Sequence, residues 1–242
     1  MISKFRDIPR KDRVILALDC DLDEAVRIAT QVRGCVKWVK VGMTMFYKYG
    51  PIAVKTFKDL GFRVFLDLKF HDIPYQVYGA AYSATLSGAN MLSMHCVGGA
   101  AMLNSAQRGV EEAADFLGIK PPATLGITVL TSMNQEELDI TGVSRPVAEQ
   151  VVSLAMLADN SALSGVVASV HETLVLRQFL GADAHIVTPG IRLENASHDD
   201  QSRVATPTMA FDSGASHIVI GRPITGAKDP LSAANEIFAN LD

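Results

Sequence analysis

The densest set of ionisable groups in an apolar frame is Phe65-Leu66-Asp67-Leu68-Lys69-Phe70-His71-Asp72-Ile73-Pro74. Side chains alternate along an extended segment, so Asp67 and Lys69 belong to one face. As a buried structural ion pair they stabilise little, because desolvation offsets most of their attraction. Charges placed this way cluster in functional sites, where they act as fixed charges on a bound ligand. Trp38-Val39-Lys40-Val41-Gly42 sets a second cation in a run that otherwise reads as buried. A lysine snorkelling from a strand end is the simple explanation. Beside Asp67 and Lys69, a charge cluster is the stronger one. Taken alone, His71-Asp72-Ile73-Pro74 reads as a helix-entry turn with Asp72 as N-cap.

Two further stretches suit an anion: Thr188-Pro189-Gly190-Ile191-Arg192 and Ile220-Gly221-Arg222-Pro223. Glycine lets backbone N–H groups approach a phosphate closely. Arginine offers a planar donor fork that matches it. The histidines carry less information. No HExxH or HxH spacing occurs, and the acids follow no EF-hand pattern. His71, His95 and Asp72 form the one metal alternative, and the expectation is that no metal is bound.

These residues need elements to position them. Eight apolar runs can serve as strands: Val14–Asp19, Val36–Val41, Arg63–Leu68, Met91–His95, Ala123–Val129, Val166–Val170, His185–Thr188 and His217–Ile220. They are rich in Val, Ile, Leu and Phe at consecutive positions, as strands buried on both faces should be. Between them lie helical patterns at Asp21–Gly34, Met43–Gly61, Tyr75–Ala89, Ala100–Leu117, Pro146–Leu163, Glu172–Leu180, Thr206–Asp212 and Pro230–Leu241. Strand then helix, eight times over, predicts an α/β fold, a (β/α)8 TIM barrel occupying residues 1–242 as a single domain. A doubly wound open sheet would show GxGxxG at its first helix, and none occurs.

In such a barrel the site lies at the C-terminal ends of the strands. Asp19, Lys40, Asp67, Lys69, His95, Thr128, Thr131, Ser132, Ser169, His171, Pro189, Gly190, Arg192, Gly221 and Arg222 all fall at or just after predicted strand ends. Each could be a cap or a turn residue. Their shared placement points to one functional rim, with the two glycine–arginine turns after strands seven and eight, the usual phosphate position.

The bulk composition narrows the function classes. The 242 residues carry a net charge of −4 and no basic run, which argues against a nucleic-acid partner. Cys20, Cys35 and Cys96 show no CxxC spacing, so a reducing compartment and packing roles are expected. The apolar run after the basic N-terminus is too short for a secretory signal, and none approaches membrane-spanning length. A soluble, cytoplasmic protein without a membrane partner is the expectation.

The motifs also resemble a known family. Leu18-Asp19, Lys40-Val41-Gly42, Asp67-Leu68-Lys69-Phe70-His71-Asp72-Ile73-Pro74, Val129-Leu130-Thr131-Ser132, Thr188-Pro189-Gly190-Ile191-Arg192 and Val219-Ile220-Gly221-Arg222-Pro223 are similar, in order, to the bacterial orotidine 5′-monophosphate decarboxylases. The resemblance implies conversion of orotidine 5′-monophosphate to UMP and CO2 in pyrimidine biosynthesis, without metal or cofactor. It implies Lys69 as proton donor to a C6 carbanion, Asp67 beside the substrate carboxylate, and Lys40 and Asp72 completing a row of charges. Asp72 would reach the neighbouring subunit's site, which implies a homodimer. Asp19 and Lys40 resemble the ribose contacts. Ile73, Thr131, Ser132 and Pro189 resemble residues that line the nucleotide, and Arg192, Gln201, Gly221 and Arg222 the phosphate set. One departure is visible: Ile73-Pro74 is followed by Tyr75-Gln76, where the family commonly has Asn-Thr. Gln76 can still hydrogen-bond a hydroxyl.

Two other functions use a barrel of this type. A sugar-phosphate decarboxylase or aldolase of the same barrel type would use a metal-bound enediolate, and Lys40 would oppose a divalent ion there. A non-catalytic nucleotide-binding barrel would not need the full charge set.

Overall fold

The computed structural model describes residues 5–191 and 205–241. Two short 3-10 turns, Phe5–Asp7 and Arg10–Arg13, lead into the chain. The elements then run β1 (Val14–Ala17), α1 (Leu22–Val32), β2 (Trp38–Gly42), α2 (Met43–Tyr49), α3 (Pro51–Asp59), β3 (Arg63–Phe70), α4 (Pro74–Leu86), β4 (Met91–His95) and α5 (Gly99–Leu117). They continue β5 (Ala123–Ile127), α6 (Gln135–Ile140), α7 (Val147–Asn160), β6 (Gly165–Val167), α8 (Val170–Leu180), β7 (His185–Thr188), α9 (Pro207–Asp212), β8 (His217–Ile220), α10 (Arg222–Thr225) and α11 (Pro230–Phe238). All eight strands pair in parallel and in sequence order, and β1 closes the ring against β8.

Alternation within each strand sorts two cores. One set faces the helices and includes Leu16, Val39, Leu66, Leu92 and Ile218. The other fills the barrel with Ile15, Trp38, Phe65, Met91, Leu125, Val187 and Val219. The interior is therefore a packed floor rather than a pore. Burying one such large side chain contributes about 1.5–3 kcal/mol. Two residues further along β2, β3 and β4, the inward positions become Lys40, Asp67 and Ser93. The polar site thus stands directly on this apolar floor.

The expected fold is present, with local differences. The stretch Met43–Gly61 is two helices, because Pro51 opens α3 and its ring cannot continue α2. Strand β5 ends at Ile127, where Thr128 turns its hydroxyl to the Val167 carbonyl at 3.0 Å. Strand β6 ends at Val167, because Ser169 is the N-cap of α8 and its amide donates to the Glu172 side chain at 2.8 Å. Asp72 is not an N-cap: Ile73 holds that position ahead of Pro74. Helix α6 was not expected. It is secured by a reciprocal cap in which the Glu137 amide donates to Asn134 and the Asn134 amide donates to Glu137, each at 2.9 Å.

Candidate active site

Strands β3 and β4 pair Phe65 with Met91 and Leu66 with Leu92, and then Phe70 with Met94. Three residues of β3 (Asp67, Leu68 and Lys69) thus oppose Ser93 alone. Bulges of this kind re-aim side chains and recur beside active sites. Lys69 takes φ +53°, the left-handed region, which costs a non-glycine residue about 1–3 kcal/mol. Strict alternation does not describe this segment, yet the two charges do meet. Lys69 Nζ lies 2.8 Å from Asp67 Oδ2. Asp67 Oδ1 accepts the Ser93 hydroxyl at 2.7 Å, and the Lys69 amide donates to the same Ser93 oxygen at 3.0 Å.

The second lysine has its own partner. Lys40 Nζ lies 2.7 Å from Asp19 Oδ1, at the ends of β2 and β1. The lysine side chain is 11% exposed and the aspartate 67%, so the pair runs from the barrel interior towards solvent. A side chain at Gly42 would crowd it, since a Cβ there would stand 3.3 Å from Lys40 Nζ and 3.2 Å from Asp19 Oδ1. Asp19, Lys40, Gly42, Asp67 and Lys69 line one concavity at the C-terminal mouth, with Met43 and Thr44 at its edge.

Asp72 stands apart from this cluster. It is exposed, and its carboxylate accepts the Ile73 amide at 2.6 Å. Among the described residues it forms no ion pair with Lys40 or Lys69. Within one chain the pairing is therefore Asp67 with Lys69 and Asp19 with Lys40. Ile73 and Gln76 are exposed at the start of α4.

The remaining expected residues lie along the same rim. Thr131 is half-buried and Ser132 exposed after β5; Pro189 and Gly190 are half-buried after β7. Gly190 has φ +80°, which only glycine adopts freely. Gly221 follows β8 half-buried, and Arg222 opens α10 exposed. Arg192 and Gln201 lie outside the described residues. His95 packs against His71 with ring centroids 5.5 Å apart. Burial, then the neighbouring His71 and Lys69, hold His95 below the usual histidine range. Among the described residues no group of three His, Cys, Asp or Glu side chains is arranged to hold a metal ion.

Sequence reasoning passed over Ser93. Its one signal was a hydroxyl at an inward position of Met91-Leu92-Ser93-Met94, a run that otherwise reads as core.

Fold and site together define a (β/α)8 barrel with paired lysines and aspartates in its C-terminal mouth and glycine-containing turns after its last two strands. The model of the family "Orotidine 5'-phosphate decarboxylase / HUMPS" matches residues 12–237, and the chain belongs to that family. An orotidine 5'-phosphate decarboxylase of Moorella thermoacetica is 44% identical over 234 residues, covering 96% of this chain and 93% of that protein. One from Nitratidesulfovibrio vulgaris is 45% identical over 230 residues, with 94% and 97% covered. A crystal structure of orotidine 5'-phosphate decarboxylase from Lactobacillus acidophilus superposes with a TM-score of 0.85 at 37% identity, over 96% of this chain and 99% of that one.

Proposed function

We propose that the chain converts orotidine 5′-monophosphate to UMP and CO2, with Lys69 as the proton donor and no metal in the reaction. The observation that carries this reading is the half-buried pair of Lys69 Nζ and Asp67 Oδ2, 2.8 Å apart, in one concavity with Lys40. In the reaction the bond from C6 to the carboxylate breaks, and its electron pair stays on C6 in the ring plane. The ring π system delocalises that pair poorly. An ammonium already in place opposes the new charge without solvent reorganisation. Lys69 then passes one Nζ proton to C6 and recovers it from water.

Magnitudes show what one lysine can do. Opposite charges about 4 Å apart attract by roughly 4 kcal/mol at an effective dielectric near 20. That corresponds to about three powers of ten in rate. The rest of the acceleration falls to phosphate and ribose binding, which positions C6 over the lysine. Asp19 and Lys40 suit ribose hydroxyls, and Gly190, Gly221 and Arg222 suit the phosphate. Lys40 also speaks against a metal-bound enediolate, since its ammonium stands where a divalent ion would need carboxylates.

We further propose that the enzyme is a homodimer in which Asp72 and Gln76 serve the partner's site. Exposure of Ile73 and Tyr75, at 63% and 78%, supports a covered surface there. The UMP product places the reaction in pyrimidine nucleotide synthesis, and the three free cysteines suit a reducing cytoplasm. The test is the fall in ultraviolet absorbance when purified protein meets orotidine 5′-monophosphate with EDTA present. A steady fall supports the proposal. Activity that disappears with EDTA and returns with a divalent metal supports the sugar-phosphate type instead. Tight UMP binding without CO2 release supports a binding barrel.

A further inference from the structure

The side chain of Ser93 is wholly buried and touches both members of the Lys69–Asp67 pair, one through its side chain and the other through its backbone. A hydroxyl has one hydrogen and two acceptor lone pairs. The Lys69 amide can only donate, so it takes a lone pair, and the hydroxyl hydrogen goes to Asp67 Oδ1. Asp67 is then filled from two sides, by Ser93 at Oδ1 and by Lys69 at Oδ2. Its carboxylate plane is thereby fixed.

The backbone explains why a side chain must stand here. Ladder pairing between β3 and β4 is interrupted from Leu66 to Phe70. The Lys69 amide lies in the gap, next to a backbone at φ +53°. A buried amide left without an acceptor costs about 1–3 kcal/mol. Ser93 supplies the acceptor that the ladder does not, so it holds the left-handed turn from which the lysine side chain starts.

We propose that Ser93 is a positioning residue for proton delivery: it fixes the Lys69 backbone and the Asp67 carboxylate together, and through them the location of Nζ. The idea rests on the decarboxylase reading above. The groups suited to phosphate follow β7 and β8, across the ring from the β3–β4 bulge, and Lys40 on the neighbouring β2 is held by its own ion pair with Asp19 rather than by Ser93. Loss of Ser93 therefore acts on turnover and spares substrate capture.

The experiment compares wild type, Ser93→Ala and Ser93→Thr. Steady-state kinetics with orotidine 5′-monophosphate are paired with amide hydrogen exchange at Lys69, read against Leu66. A misplacement of about 1 Å near the reacting atoms can cost roughly a hundredfold. The expected result for Ser93→Ala is therefore a fall in kcat of that order with KM within about threefold. Its Lys69 amide should exchange at least about tenfold faster, with Leu66 unchanged, as expected when a local bond rather than the fold is lost. Ser93→Thr retains the hydroxyl and should recover most of kcat. The proposal is overturned by a wild-type kcat in Ser93→Ala, by a loss confined to KM, by Ser93→Thr as impaired as Ser93→Ala while folded, or by an unchanged Lys69 exchange rate. Inactivity of the wild type itself overturns the decarboxylase reading instead, and the exchange measurement then decides whether Ser93 anchors Lys69.

Discussion

Acid should weaken the floor of the barrel through two histidines. His185 and His217 lie with ring centroids 5.4 Å apart. Trp38 meets His217 edge-on at 5.4 Å, and Phe5 packs on His185 at 5.7 Å. Burial is the main reason that His217 titrates well below its usual range, and His185, Arg13 and Arg63 add to it. Burial likewise lowers His185 to about 4, with Lys120 and Arg177 adding. In the unfolded chain each ring titrates near 6.5. Above about pH 7 neither state binds a proton at these rings, and they add nothing to the pH dependence. From about 6.5 downward the unfolded chain takes up protons that the folded chain excludes, so stability falls with pH. For His185 the loss on reaching pH 4 is about 3 kcal/mol, from a fall of 6.5 to about 4 at 1.36 kcal/mol per pH unit. His217 shifts stability in the same direction.

The assay is urea unfolding at a series of pH values between 7 and 4, followed by the fluorescence of Trp38, the single tryptophan. With a denaturant slope near 3 kcal/mol/M, the His185 contribution moves the midpoint by about 1 M. Carboxylates also titrate in this window, so the decisive quantity is the difference between wild type and His185→Gln. The variant should lose less stability between pH 7 and pH 4. Parallel curves for the two proteins would refute the reasoning.

Three other outcomes follow from the same structure. Gly165→Ala should fail to fold or melt far below wild type, because its Cβ would stand 1.9 Å from the His185 carbonyl oxygen, and overpacking typically costs about 1–3 kcal/mol or more; a melting curve like wild type contradicts this. Lys69→Ala should lose at least about a thousandfold in turnover, the value of one charge near C6; near-wild-type turnover by the absorbance assay ends the role assigned to it. In the proposed homodimer, Tyr75→Arg, which places a charge on an exposed apolar position, should shift sedimentation towards monomer and lower activity with it; an unchanged sedimentation profile removes Tyr75 from the proposed interface.

Much of the fold was legible in the sequence, because consecutive apolar residues in short runs mark strands buried on both faces. The β4, β7 and β8 boundaries agree residue for residue with the apolar runs. Strands β5 and β6 end earlier than their apolar runs, at a polar residue or just before one, whereas β3 runs on to Phe70, two residues beyond its expected end. Thr128 and Ser169 have chemistry that reads as strand or rim, yet Thr128 hydrogen-bonds the Val167 carbonyl just past β5 and Ser169 caps α8. Pro51 and the Asn134–Glu137 cap were explicit local signals for a helix break and a helix start.

The site was legible in part. Charges within apolar runs marked Lys40, Asp67 and Lys69, and the structure gathers those three with Asp19. Their pairing was not readable. Lys40 takes Asp19 rather than Asp67 or Asp72, because partner choice depends on strand register and tilt. Lys69's left-handed backbone had no sequence signal at all, since it follows from a bulge defined by β4. Ser93 escaped notice for the same reason, as its meaning lies across the ladder rather than along the chain.

In the proposed reaction the Lys69 ammonium stands against C6 of the bound pyrimidine, and a crystal structure with UMP bound would show whether it does. The prediction is Nζ within about 3–3.5 Å of C6, the separation of a near-attack arrangement, with the contact to Asp67 retained. A lysine side chain turned away from the ring, with another donor or a metal-bound water at C6, would contradict it.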